Sequence, residues 1–150
     1  MQLRELHREP GEVVAEAGPL LLRCIHGIES THAAVDRVVT LVDAMVERWP
    51  LVGVIAIVEH GTPQPDPELR RRIDAEMRRY GDRIVVAYGF LGIGYWRADA
   101  HAFGTERAAA LGVPVIVETE LEALAERVAN ELIGVDPAWL VEIVERLRMP

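Results

Sequence analysis

Short runs of apolar residues alternate along the chain with segments in which apolar residues recur every three or four positions. The clearest run, LVGVIAIV from Leu51 to Val58, is apolar on both of its alternating faces. A run this short and uniform is typical of a central strand in a sheet covered on both sides. The runs RIVVAYG, from Arg83, and VPVIVE, from Val113, have the same character. Because these runs alternate with helical segments, they predict a largely parallel sheet with right-handed crossovers.

Capping residues mark the predicted helix boundaries between these runs. Ser30 or Thr31 is the predicted N-cap of a first helix, which Pro50 stops. Asp66, followed by a proline, is the predicted N-cap of a second helix, which Gly81 ends.

The two ends of the chain add further elements. Near the N-terminus, β-type runs at residues 12–15 and 20–26 flank a Gly-Pro pair, which predicts a β-hairpin. Arg23, in the second run, is expected to point at least partly toward water. The charged residues 1–10 are predicted to form a short helical turn or a loose arm. Near the C-terminus, a capping box at residues 119–122 and an Asp-Pro pair at 136–137 each predict a helix.

These elements predict one α/β domain. Residues 11–133 are expected to form an N-terminal β-hairpin and alternating αβ units, with a mixed, mostly parallel sheet of about five strands and helices on both faces. Residues 134–150 are expected to add a C-terminal helix packed on the same domain. A chain of 150 residues, half of them apolar, fits a single core.

Charge and composition narrow the classes of function. The net charge is −8 and the chain contains no Lys, so a lysine Schiff base and a P-loop lysine are excluded. An acidic chain without a basic stripe argues against nucleic-acid binding. The arginines of the second helix are predicted to form a solvated face.

No apolar run approaches the roughly 18 residues of a membrane span, and the N-terminus lacks a secretory pattern. A single cysteine agrees with a reducing compartment. We therefore expect a soluble cytoplasmic protein that binds no membrane.

A family resemblance is carried by the element order and by two segments. The segment IAIVEHGTPQPDPELRRR runs from a strand through a proline-containing loop into a helix, and VPVIVETELEALAERV joins a late strand to an acidic helix start. Between about Gly11 and Leu132, the chain resembles divergent bacterial members of the STAS family, the domain of sulphate transporters and anti-sigma-factor antagonists. The resemblance implies a non-enzymatic regulatory or protein-interaction module, often controlled by a partner kinase or a bound ligand. It also implies that Thr62, which carries the hydroxyl group in the segment EHGTPQPD, is the position of modification. The Asp-Ser-Ser-Gly-Leu-like run that surrounds this position in the family is not present here.

A candidate surface is predicted where the parallel strands end, because ligands of open α/β sheets gather outside the carboxyl ends of the strands. By this rule, eight residues are expected to form one surface that binds a ligand or a protein partner. They are Glu59, His60, Thr62, Asp66, Tyr88, Gly89, Gly92 and Gly94.

Two alternatives to a protein-interaction module remain open. One is a small-ligand or nucleotide-binding protein whose Gly89–Gly94 turn brings backbone amides to a phosphate. The other is a small hydrolase using Glu59, His60 and Tyr88, although no catalytic residue can be assigned.

Cys24 and His26 share one strand face, but no zinc-ligand spacing is present, so no metal and no cofactor are expected. A protein partner is expected, and a homodimer through the apolar side of the last helix, near Trp139, remains an option.

Overall fold

The computed structural model describes residues 2–92 and 96–148. Within them lie six strands and five α-helices, and one 3₁₀ turn at Gly81–Arg83. The strands are β1 (Leu3–Glu9), β2 (Glu12–Ala17), β3 (Leu20–Ile25), β4 (Val52–Glu59), β5 (Ile84–Leu91) and β6 (Val115–Glu118). The helices are α1 (His32–Arg48), α2 (Pro67–Tyr80), α3 (Trp96–Leu111), α4 (Leu121–Glu131) and α5 (Pro137–Arg148).

All six strands join one sheet in the order β1-β2-β3-β4-β5-β6. β1 pairs antiparallel with β2, and β2 pairs antiparallel with β3. From β3 to β6 every neighbouring pair is parallel. The predicted α/β fold is therefore confirmed: an N-terminal hairpin leads into a mixed, mostly parallel sheet with helices on both faces.

The first strand corrects the prediction for residues 1–10, which were expected to form a helical turn or a loose arm. Leu3 pairs opposite Ala17 and Glu9 opposite Glu12, with a bulge between Glu5 and His7. The segment is an edge strand, and charged side chains are common on edges because they discourage pairing with another chain. Only Leu3 and Leu6 pack against the interior, too few to give the apolar run by which a buried strand is recognised.

The order of the parallel strands decides where the first three helices lie. β3, β4, β5 and β6 follow one another across the sheet in chain order. Because each crossover is right-handed, α1, α2 and α3 all lie on the same face. Val42 and Met45 of α1, Met77 of α2 and Leu111 of α3 share one buried cluster with Val86 of β5. We call this side of the sheet the α1–α3 face.

The opposite side, the α4–α5 face, is covered by the two helices C-terminal to β6. Leu124 and Val128 of α4 and Ile143 and Val144 of α5 are buried in one cluster with Ile57 of β4. The last helix is thus a part of the core. Its apolar side is covered within the chain, so the structure gives no support to a homodimer through that side; Trp139 itself packs against this cluster.

Most of the predicted helix starts are confirmed. The Thr31 hydroxyl accepts a hydrogen bond from the Ala34 amide at 3.1 Å, and the Asp66 carboxylate accepts one from the Leu69 amide at 2.9 Å. The Asp136 carboxylate accepts one from the Trp139 amide at 3.0 Å. The capping box predicted at residues 119–122 is wrong, because α4 has its N-cap one residue later and no side chain caps it.

The arginines of α2 lie on the predicted solvated face, where Arg71, Arg78 and Arg79 are exposed, and they also connect the helices. α2 lies between α1 and α3, and its side chains reach both neighbours. Arg72 pairs with Asp36 of α1, and Arg78 donates to the Ala110 carbonyl oxygen of α3 at 3.0 Å. Guanidinium groups suit such bridges because they present several donors in a fixed plane. Among the described residues, no helix is long and apolar enough to cross a membrane.

Candidate functional site

The two faces of the central strand β4 are covered unequally. On the α4–α5 face Gly53, Ile55 and Ile57 are buried, whereas on the α1–α3 face only Val52, at the start of the strand, is buried and the next three residues, Val54, Ala56 and Val58, are half-buried. A central strand with neighbours on both sides and helices above is normally buried on both faces. The helices on the α1–α3 face therefore leave part of the sheet uncovered.

A cavity of about 160 Å³ occupies this space between the sheet and the three helices. Its described walls are mostly apolar: Val35, Val38 and Val39 of α1, Ile73 and Met77 of α2, and Val54, Val58, Val86 and Phe90 of the sheet. The pattern is that of a small-molecule site, which is typically apolar with a few polar groups.

The register of the sheet explains why the cavity lies here. Arg23 of β3 pairs opposite Ala56 of β4, and Ala56 pairs opposite Tyr88 of β5. Neighbouring strands are about 4.8 Å apart, so the Cα atoms of Arg23 and Tyr88 are separated by about 10 Å. Since Ala56 contributes only a methyl group to this row, the space above it stays open.

An aromatic cluster forms one end of the cavity. The ring of Phe103, from α3, meets the rings of Tyr88 and Phe90 edge-on, with centroid separations of 5.1 and 5.0 Å. Edge-to-face contacts of this kind are favourable beyond the area they bury. Burial raises the pKa of Tyr88, so its phenol is neutral at physiological pH.

Arg107 stands beside this cluster and is 4% exposed. Its two terminal nitrogens pair with the buried carboxylate of Asp74, while its Nε has no hydrogen-bond partner. A buried N–H without a partner carries a desolvation cost of about 1–3 kcal/mol. Arg107 lines the cavity, so an acceptor there could relieve that cost.

Arg23 lies at the other end of the row, and its guanidinium is only partly satisfied. Its Nε donates to a carboxylate oxygen of Glu12 at 2.5 Å, and one terminal nitrogen donates to the Ser30 hydroxyl at 3.2 Å. The other terminal nitrogen is buried without a partner. Glu12, 2% exposed, also accepts from Arg37 at 2.9 Å. Two guanidinium groups therefore share one carboxylate, and an oxygen of Glu9 also lies within 4.8 Å of it.

Arg23 is half-buried, in agreement with the expectation that it points partly toward water, but its surroundings were not expected. Arg23 lines the cavity on the α1–α3 face, and its partners hold it there. The alternation of β3 places it correctly on a face, but the sequence does not show that a buried glutamate eleven positions earlier will meet it.

The loop after β4 forms the mouth of the cavity. Pro63 and Gln64 line it and are exposed, whereas Thr62 is 4% exposed. The Thr62 hydroxyl accepts a hydrogen bond from the Gly27 amide at 3.0 Å and donates one to the Ile25 carbonyl oxygen at 3.4 Å. It thereby ties the loop to the end of β3. Modification of Thr62 remains a prediction, and it requires this contact to open first.

The predicted acid–base residues do not assemble. Glu59 lies on the α4–α5 face, where Arg148 of α5 binds its carboxylate at 2.7 and 2.8 Å. Tyr88 lies on the opposite face, in the cavity. His60 is exposed, and its amide donates to the Leu91 carbonyl oxygen at 3.0 Å. Since the sheet separates Glu59 from Tyr88, these three residues cannot act on one substrate.

The predicted glycine turn also has a different structure. Gly89 lies inside β5, opposite Ile57 and Glu118, and a Cβ there would approach Leu124 Cδ2 to 2.8 Å. Its role is close packing of α4 on the sheet. Gly92 follows the strand with φ +116°, and a Cβ there would come within 2.9 Å of the His60 Cβ. Gly94 lies outside the described residues. Asp66 is exposed and serves as the cap of α2.

Metal-binding geometry occurs once among the described residues, at His7, Glu9 and Glu12. Both Glu12 oxygens already accept hydrogen bonds from arginines, so Glu12 is poorly suited to bind a metal. Cys24 does not share a site with His26, which is exposed. Burial raises the pKa of the Cys24 thiol to about 12, so the thiol stays protonated at neutral pH.

A second depression, of about 390 Å³, lies at the amino ends of β5 and β6. Exposed charged residues line it, including Asp82 and Glu131. None of the described buried polar atoms that lack a partner belongs to it. The apolar cavity, with Arg23 and Arg107, is therefore the better candidate site.

Thr62 and Tyr88 belong to the predicted surface and line this cavity, whereas its other described residues were not predicted, although part of the signal is in the sequence. Ala56 is the smallest side chain on its face of β4, and Arg23 is the charged residue in an otherwise apolar run. Arg107 gives no such signal, because its place depends on how α3 packs against α2. Comparison with family models, with curated proteins and with solved structures gives no match to this chain.

Proposed function

We propose that this protein is a non-enzymatic module that binds a small, largely apolar molecule in the cavity between the sheet and α1–α3. The observation that carries the proposal is the cavity of about 160 Å³ above Ala56, with apolar walls and an exposed loop at its mouth. A cavity of about 150 Å³ with similar walls is large enough for benzene.

The residue at position 56 supports a role in binding. Protein interiors are otherwise close-packed, and the other β4 residues on this face, Val52, Val54 and Val58, are all larger than alanine. A larger side chain at position 56 would occupy the space, so an alanine there favours a functional space.

The chemistry of the walls supports binding over catalysis. The described lining residues include Arg, Ser, Thr, Gln and Tyr, but no His, Cys, Asp or Glu. The hydroxyl of Ser30 therefore has no general base among them, and nucleophilic catalysis requires one. The resemblance to the STAS family agrees, because it implies a regulatory module acting in the bacterial cytoplasm, often under control of a ligand.

Protein interaction at the loop after β4 is a second candidate function. The position of Thr62 favours it, since this residue lines the cavity and also holds the exposed residues Pro63 and Gln64 in place. A ligand in the cavity and a partner on the loop would act on the same segment. Pull-down from the native host with wild type and Thr62→Asp tests this candidate, and an unchanged set of partners would remove Thr62 as a switch.

Toluene binding tests the main proposal. We expect saturable binding by ligand-observed NMR, lost in Ala56→Leu because the larger side chain occupies the same space. Ala75→Leu is the matched control, because Ala75 is exposed on α2 and the same change there leaves the cavity intact. Wild-type protein that binds no toluene, or an Ala56→Leu variant that binds it equally well, would contradict the proposal.

A further inference from the structure

We infer that the ligand is a small monocarboxylate whose carboxylate binds Arg23 and Ser30 and whose apolar body lies over Ala56 toward the aromatic cluster. This inference rests on the proposed function and adds the chemical class of the ligand.

The sign of the charge around the cavity is the first argument. The chain has 24 acidic and 16 basic residues, yet its described lining contains three arginines, Arg23, Arg70 and Arg107, and no carboxylate. Each of these arginines also pairs with a carboxylate outside the lining, namely Glu12, Glu106 or Asp74, so the charged groups that face the cavity are hydrogen-bond donors and favour a ligand with acceptor oxygens.

Hydrogen-bonding capacity identifies the end that takes the charge. The free terminal nitrogen of Arg23 is a buried donor without a partner. Ser30 also lines the cavity, and its hydroxyl accepts from Arg23, so its proton is available to a ligand oxygen. Two donors, one of them on the charged guanidinium of Arg23, match a carboxylate.

The opposite end suits the apolar part of the ligand. The charge of Arg107 is balanced by Asp74, so only its Nε–H remains for a neutral acceptor. The rings of Tyr88, Phe90 and Phe103 supply a surface on which a ring or a short alkyl chain can pack.

The size of the cavity limits the ligand. Its volume of about 160 Å³ holds about one aromatic ring, and the row from Arg23 to Tyr88 spans about 10 Å. A phenyl-substituted acid, or an aliphatic acid of about six to eight carbons, fits both limits.

Calorimetry with matched probes tests the inference on the full chain. Phenylacetate is compared with its neutral isostere phenylacetamide, with phenyl phosphate, and with toluene. We expect phenylacetate to bind about 10- to 100-fold more tightly than phenylacetamide, since a charge-assisted hydrogen bond contributes on that scale. Arg23→Gln should abolish this difference, and Ser30→Ala should reduce it. Arg37→Gln should preserve it, because Arg37 is the other partner of Glu12 and does not line the cavity.

The outcomes separate this inference from the proposed function. Toluene binding with equal affinities for acid and amide would overturn the carboxylate while the cavity remains a binding site. Tighter binding of phenyl phosphate, or of dodecanoate over hexanoate, would overturn the ligand class. If Arg23→Gln and Arg37→Gln reduce the preference for acid over amide equally, the assignment of the carboxylate to Arg23 would be overturned. If no probe binds, both the inference and the proposed function fail. The comparison of acid with amide uses wild-type protein, so it stands even where Arg23→Gln does not fold.

Discussion

Arg23 and Tyr88 occupy one row of the sheet, two strands apart, with only the methyl group of Ala56 between them. Two long side chains therefore flank a short one beneath a layer of helices. Because interiors are otherwise close-packed, such a gap in the middle of a sheet leaves a cavity unless a helix side chain fills it. The described part of α1, α2 and α3 does not fill it.

Filling this gap should stabilise the protein. We expect Ala56→Leu to raise the free energy of unfolding by about 0.5–2 kcal/mol, as cavity-filling substitutions commonly do. Urea unfolding measures the change, and Ala75→Leu, at an exposed position of α2, should change stability by less than about 0.5 kcal/mol. A destabilisation of Ala56→Leu by more than about 1 kcal/mol would mean that the space is not free.

Local patterns in the sequence predicted the fold but only Thr62 and Tyr88 of the site, and the reason is physical. Strand runs and N-caps such as Thr31 and Asp66 depend on neighbours within a few residues, so the pattern reveals them. The cavity depends on contacts between distant segments, such as Arg23 with Glu12 and Arg107 with Asp74. The edge strand β1 was missed for a similar reason, because its place comes from pairing with β2 and not from its own composition.

Removal of α5 should unfold the domain. Leu140, Ile143, Val144 and Leu147 are buried in the core of the α4–α5 face, and each buried side chain contributes about 1.5–3 kcal/mol. Their sum is comparable to the whole stability of a typical domain. We therefore expect a chain ending at Val135 to lack a cooperative thermal transition in calorimetry.

A point substitution in α5 is the control for that truncation. Arg148→Gln removes the partly exposed ion pair with Glu59 and leaves the four apolar residues in place, so it should cost less than about 1 kcal/mol. A truncated chain that unfolds at nearly the same temperature as Arg148→Gln would show that α5 is not required for the core.

The buried pair of Arg107 and Asp74 should be strongly coupled. Asp74→Asn leaves the Arg107 charge without its partner in the interior, at an expected cost of about 3–5 kcal/mol. The double variant Asp74→Leu with Arg107→Met removes both charges and should be more stable than Asp74→Asn. A double-mutant cycle from chemical denaturation measures the coupling, and strictly additive effects would contradict it.

The Thr62 contact should be replaceable only by another hydroxyl. Thr62→Val leaves the Gly27 amide without its acceptor and should destabilise the protein by about 1–2 kcal/mol. Thr62→Ser keeps the hydroxyl and should cost less. Amide hydrogen exchange at Gly27 provides the local readout, and equal protection in the two variants would show that this hydrogen bond does not hold the loop.

Stability should fall in alkali, in part because of Cys24. Burial raises the pKa of its thiol from 9.0 to about 12. Above the pKa of the unfolded state, the unfolded chain releases the thiol proton while the folded chain retains it, so stability falls as the pH rises. Between about pH 8 and about pH 10, wild type should lose about 1 kcal/mol more than Cys24→Ala in urea unfolding. Tyr80 and Tyr88, whose pKa values burial also raises, contribute equally in both proteins. Identical pH slopes would contradict a buried thiol.

The central claim is that a small apolar molecule binds above Ala56, on the α1–α3 face. Intermolecular NOEs between toluene ring protons and the protein's methyl groups test it most directly. We predict NOEs to Val38, Val54 and Val58, which line the cavity, and none to Ile57, Leu124 or Val128 on the α4–α5 face. NOEs to the second group of methyls, or no NOEs at saturating ligand, would contradict the claim.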